Sequence, residues 1–266
     1  MQNKFLFHTN KGLSIAHIGS TASKKALLFI GRSNTQKNSL PLEALMEKLA
    51  LNDYLLLWPE SRKKLISRQL SDKSKNIISF IDKLLGSNET IVKKYYRKFI
   101  KAIILLLHPS KWDYLFLRHI DESKVDQTYL YRRAIQVYGK NRGLGILSHS
   151  AGGVMAANLQ NESNLKCIIC FGYPFKHPDR ENESYRVENL KHTQIPFLIF
   201  QGNKDEYGGA GAEGRYELSK SIEIDYIDAT HEYDNLHDHG WRQVVWRIES
   251  FLEKNLSSSV IKNHKC

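Results

Sequence analysis

An α/β fold is predicted for this chain: a mostly parallel central sheet with helices on both faces and a basic helical insertion as a candidate lid. Three observations carry the prediction. Short apolar runs of strand length alternate with segments of helical spacing, the pattern of parallel crossover units. One of those runs, Leu144-Gly-Ile-Leu147, leads into Ser148-His-Ser-Ala-Gly-Gly153, where Ser150 sits between small residues at the start of a helical segment. A hydrophobic content of 41% in 266 residues is enough for a packed core, and that length is ordinary for a single α/β unit.

The elements follow in order. The amino terminus, Met1 to His8, is too short and polar for a secretory signal and reads as a strand. Through Thr9-Asn-Lys-Gly12 it pairs with Leu13 to Ile18, a hairpin expected at the sheet edge. Ala26 to Ile30 is a central strand that runs into the loop Gly31-Arg-Ser-Asn-Thr35. Leu42 to Leu51 has helical spacing with Pro41 at its start, and Tyr54 to Trp58 is the next strand, stopped by Pro59. Strand, helix, strand is the right-handed parallel crossover.

Residues 61–124 are far more than a crossover helix requires, so they form an insertion of two or three helices. Within it, Ile77 to Leu85 and Ile91 to Leu107 are helical, the second stopped by Pro109. Thr128 to Tyr138 and Ala151 to Leu159 are helices on either side of the Ser150 turn. Cys167 to Phe171, Pro196 to Gly202 and Ile222 to Ile227 are strands, and Trp241 to Leu252 closes the chain with Val244, Val245, Ile248, Phe251 and Leu252 inward. The core is thus 1–60 with 125–256, the insertion 61–124, and 257–266 a flexible tail.

No run of about 18 apolar residues occurs, so no membrane-spanning helix is expected. Three cysteines give no disulfide framework. Cys167 and Cys170 share a strand, and its alternation points them to opposite faces, so they read as buried hydrophobes and not as a redox or metal pair. Residence in the cytoplasm is the expectation, with contact at a membrane surface as the alternative.

The chemistry centres on Ser150. A serine hydroxyl is a poor nucleophile near neutral pH unless a base removes its proton and a carboxylate orients that base. His231, in the loop after Ile222 to Ile227, is the candidate base. Asp205, in the loop after Pro196 to Gly202, is the candidate acid, with Glu206 as runner-up. The Ala151 amide, which opens the helix after Ser150, is the first oxyanion donor. His231, His237, Asp238 and His239 lie near one another in sequence but at a helix entrance, so no metal site and no cofactor are expected.

Serine, acid and histidine in that order, each after a strand, resemble the α/β-hydrolase superfamily. Phe171-Gly-Tyr-Pro-Phe-Lys-His-Pro178, followed by Pro196 to Gly202 and Asp205, is similar to its dienelactone-hydrolase-like branch. The resemblance covers about Gly143 to Phe251 well and Ala26 to Trp58 loosely; the insertion lies outside it. It implies an α/β-hydrolase fold and an esterase- or thioesterase-like serine hydrolase acting on a small-molecule ester through an acyl-enzyme. It further implies a second oxyanion donor in the loop after Ala26 to Ile30, the Arg32 amide with Ser33 as alternative, and His149, Tyr173 and Phe175 as substrate-binding residues. The other class it admits is a noncatalytic binding protein that keeps the fold.

The net charge of +11 is concentrated. Between Ser61 and Lys111 there are 13 Lys or Arg against three carboxylates, leaving the rest of the chain near neutral. Lys94, Lys98 and Lys101 form a basic stripe with Lys93 and Arg97 beside it, and Ile91, Tyr95, Phe99 and Ile103 lie on the opposite face; Lys94, Arg97, Lys98 and Lys101 are the candidate membrane contacts. A lid over the active site is the first reading of this segment and an anionic membrane surface the second. No recognised nucleic-acid-binding module accompanies the charge, so nucleic acid is not an expected partner.

Overall fold

The computed structural model describes residues 6–10, 13–31, 40–60, 62–84, 91–117, 127–180 and 183–256. The expected tail 257–266, Arg32 and the Ser33 alternative lie outside these residues. Among the described residues eight strands form one sheet: β1 (Leu6–Asn10), β2 (Leu13–Ile18), β3 (Lys25–Ile30), β4 (Tyr54–Glu60), β5 (Gly143–His149), β6 (Leu165–Phe171), β7 (Phe197–Gly202) and β8 (Ile222–Ile227). Their spatial order is β1-β2-β4-β3-β5-β6-β7-β8. The β1–β2 hairpin is antiparallel and occupies the edge, and β4 through β8 pair in parallel. From β3 the chain crosses first to β4 on one side and later to β5 on the other. That reversal makes the carboxyl ends of β3 and β5 the topological switch point, where open α/β sheets place their ligands.

The helices are α1 (Leu40–Leu51), α2 (Arg62–Leu84), α3 (Ile91–Leu106), α4 (Tyr114–Leu117), α5 (Gln127–Tyr138), α6 (Ala151–Asn158), α7 (Glu188–Lys191), α8 (Ala212–Arg215) and α9 (Asp238–Leu256). Strand alternation feeds two cores. Leu28, Ile30, Ile146 and Ile168 pack with Ala134 and Ile135 of α5 and Ala156 of α6. Leu27, Phe29, Leu147 and Ile169 pack with Leu45 and Leu49 of α1 and Val244, Ile248 and Phe251 of α9. Both faces of the sheet are therefore covered, as a parallel sheet requires. Cys167 belongs to the second core and Cys170 to the first, and burial pushes both thiols up to about 12.

The chain divides into two compact units, Met1–Pro59 with Thr128–Cys266, and Glu60–Gln127. In the second unit α2 is much longer than the sequence segment Ile77 to Leu85 suggested. It begins at Arg62 because Leu65, Ile66 and Leu70 recur at helical spacing within the charged stretch. Ile66 and Leu70 meet Ile100, Ile104 and Leu105, the small core of this unit.

Two of the basic side chains of α3 have partners on α2. Arg97 turns toward α2 and pairs with Asp82 at 2.8 Å, while Lys101 Nζ donates to Ser71 Oγ at 2.9 Å. The spacing of lysines along a helix says nothing of partners on a neighbouring helix. Lys98 is exposed, and the Lys94 side chain lies outside the described residues.

Candidate active site

Ser150 lies in the one-residue step between β5 and α6, with φ 54° and ψ −128°. A non-glycine residue in that region is strained and persists only where surrounding structure imposes it. Here the constraints are visible. The Ser150 amide donates to the Phe171 carbonyl at 2.9 Å, and the Gly153 amide to the Ser150 carbonyl at 2.8 Å. On the strand side, Ser148 Oγ donates to the Ile169 carbonyl at 3.0 Å. On the helix side, α6 presses against the end of β3: a Cβ on Gly152 would lie 2.0 Å from the Ile30 carbonyl oxygen. Small residues flank the serine because the helix starts too close to the sheet for anything larger.

His231 follows β8 and Asp205 follows β7, so parallel pairing of β5 through β8 delivers all three loops to one sheet edge. The side chains meet. His231 Nε2 is 2.8 Å from Ser150 Oγ, and His231 Nδ1 is 2.9 Å from Asp205 Oδ2. Glu206, the runner-up acid, is exposed, whereas Asp205 is buried. His231 and Asp205 are buried and Ser150 is partly exposed, so the serine is the member of the array nearest solvent.

Each member is held from behind. Gln201 Nε2 donates to Asp205 Oδ2 at 2.8 Å and the Tyr207 amide to Asp205 Oδ1 at 2.8 Å, so both carboxylate oxygens are engaged. The Tyr207 ring lies 4.5 Å from the imidazole. Tyr233, at φ 62°, donates its hydroxyl to the Phe200 carbonyl at 2.8 Å and pins the loop after His231 to the sheet. Burial holds that phenol well above the usual tyrosine range, so it remains a donor. Gly172, at φ 56°, clears the space: a Cβ there would lie 3.0 Å from His231 Nδ1 and 3.3 Å from Asp205 Oδ2.

These supporting residues were not singled out from sequence. Gln201 carried a signal, being the one polar side chain in the apolar run Phe197 to Gln201. Gly172 carried less, because its need is set by an imidazole 59 residues further along the chain.

The three expected pocket residues are all buried. Tyr173 is fully buried and donates to the Arg186 carbonyl at 2.5 Å. Phe175 is buried and stacks on Tyr216 at 5.3 Å. Both belong to the core under the sheet, because the loop after β6 turns its aromatics inward. His149 is buried as well, with Nε2 3.3 Å from the His231 carbonyl oxygen, so it faces the histidine loop. Ala151 is exposed at the first turn of α6, adjoining the Ser150 hydroxyl. Among the described residues no group of three or more metal-binding side chains occurs.

A sequence profile described as an alpha/beta hydrolase domain matches residues 121–250. Together with the sheet order and the helix-covered faces, it shows an α/β-hydrolase fold. Solved structures of similar fold include TT1662 from Thermus thermophilus, at 16% identity and a TM-score of 0.51 over 95% of this chain and 99% of that one. Dienelactone hydrolase from Anabaena variabilis has 14% identity and a TM-score of 0.52 over 96% and 98%. The thioesterase domain from the curacin biosynthetic pathway has 11% identity and a TM-score of 0.50 over 93% and 99%. No curated protein matches the sequence.

Proposed function

We propose that the chain is a serine hydrolase that cleaves a carboxylic ester or thioester of a small molecule through an acyl-enzyme. The observation that carries this reading is the unbroken relay Ser150 Oγ–His231 Nε2, His231 Nδ1–Asp205 Oδ2, at 2.8 and 2.9 Å. The fold it shares with proteins described as a dienelactone hydrolase and a thioesterase domain is consistent with it.

In the first half-reaction Ser150 Oγ bonds to the substrate carbonyl carbon as His231 Nε2 takes the hydroxyl proton. The resulting oxyanion is met by the Ala151 amide, whose position at the start of α6 adds the positive end of the helix dipole. A second donor from the Arg32 amide completes the proposed hole. The tetrahedral centre collapses, the bond to the leaving oxygen or sulfur breaks, and His231 gives that atom its proton. Water, deprotonated by His231, then attacks the acyl carbon, and the acid product leaves with Ser150 Oγ reprotonated. Asp205 accepts the Nδ1–H bond throughout, which fixes the tautomer and stabilises the transient imidazolium.

The test is covalent labelling by a fluorophosphonate probe together with turnover of p-nitrophenyl esters of graded acyl length. Labelling of the native chain is expected, and Ser150→Ala should abolish it and lower kcat by about 10⁴–10⁶-fold. Folded native protein that neither labels nor turns over any ester would overturn the reading in favour of a noncatalytic binding protein.

A further inference from the structure

We propose that one face of the helical unit, built on α3 and continued through α4, docks on a bilayer containing anionic lipid. Among the described residues, fourteen large apolar side chains are exposed, and ten of them fall between Ile77 and Phe116. A cluster of that kind marks an interaction surface, since isolated exposed apolar residues are usually scattered.

The face has a helical period. Tyr95, Phe99 and Ile103 follow one another at four-residue steps, and Leu106 comes three later, so they share one side of α3. The other side is already used: Tyr96, Ile100 and Ile104 pack into the core of the unit with Ile66 and Leu70. The helix is therefore apolar on two sides, and only one of them is buried within its own unit. Phe99 is 65% exposed, and Phe116 of α4 is 82% exposed. Between them Trp112 is held by its indole N–H, which donates to the Leu105 carbonyl at 3.1 Å, and half the ring stays open. Exposed Trp and Tyr suit the boundary between headgroups and acyl chains.

Charge decides the occupant. Residues 61–111 carry 13 basic side chains against three acidic ones. A second copy of this chain would bring like charge against like, whereas an anionic bilayer attracts the whole segment. Exposed Lys98 lies between Tyr95 and Phe99 in sequence, where its stem can run along the apolar surface while the ammonium reaches headgroup phosphates. No described helix is long and apolar enough to cross a membrane, so α3 would lie in the interface plane.

Co-sedimentation with vesicles tests this. The full chain should pellet with phosphatidylcholine vesicles containing phosphatidylglycerol, far less with phosphatidylcholine alone, and binding should fall steeply with salt. Phe99→Asp and Phe116→Asp should each weaken binding about tenfold, and Lys98→Ala about fivefold. All three sites are exposed, so circular dichroism and turnover of a soluble ester should stay unchanged. Ser150→Ala should bind vesicles like the native chain, which separates this surface from the ester chemistry. Equal binding to neutral and anionic vesicles overturns the proposal. So does a concentration-dependent dimer, seen by sedimentation equilibrium, that Phe99→Asp dissociates while no vesicle binds.

Discussion

At the scale of single residues, the candidate site depends as much on what surrounds the triad as on the triad. Asp205 has no oxygen left uncommitted: the imidazole and Gln201 share Oδ2, and the Tyr207 amide takes Oδ1. That arrangement holds the imidazole in one tautomer and one orientation. Gly172 is the most exposed to test. Alanine there meets two penalties, about 1–2 kcal/mol for a left-handed backbone and a Cβ 3.0 Å from His231 Nδ1. Gly172→Ala is expected to lower kcat on p-nitrophenyl esters by about 10²-fold through displacement of the imidazole, with a modest loss in urea unfolding midpoint. Unchanged kcat would show that the ring has room to move without consequence.

Among the elements, the β5–α6 junction couples strain to packing. The helix cannot retreat from β3, because the site of a Gly152 Cβ is only 2.0 Å from the Ile30 carbonyl oxygen. Gly152→Ala should therefore cost about 3 kcal/mol in equilibrium urea unfolding as α6 shifts off the sheet. Loss of fluorophosphonate labelling should accompany it, since Ser150 rides on the same turn. Much of this element was legible in the sequence: an apolar strand, a serine between small residues and a helical segment prescribe that turn. The inward direction of Tyr173 and Phe175 was not legible. A Gly-Tyr-Pro loop after a strand reads the same whether its aromatics face a cleft or a core, and the packing of Phe175 on Tyr216 arises from a residue 41 positions away.

Over the whole molecule, the two units differ in the core that supports them. The first packs two extensive clusters on either face of an eight-stranded sheet. Among the described residues, the second has one small cluster built on Ile66, Leu70, Ile100, Ile104 and Leu105. Local opening follows the amount of apolar surface that must be exposed. Native-state hydrogen exchange read by mass spectrometry should show peptides from β5, β6 and β7 protected longest, with peptides from α2 and α3 exchanging earlier as a group. Equal protection of the two units would contradict that ranking.

The sequence by itself determined the order of the strands and of the longer helices, the separate basic segment, and a candidate serine, acid and histidine in loops that follow strands. It could do so because apolar period, turn chemistry and charge are local properties of a chain. Only the tertiary structure decided that Asp205 and not Glu206 holds His231, that Gln201, Tyr207 and Gly172 support the array, and that Arg97 and Lys101 are drawn toward α2. Those outcomes depend on distances between residues remote in sequence, and parallel strand pairing sets such distances without leaving a local trace.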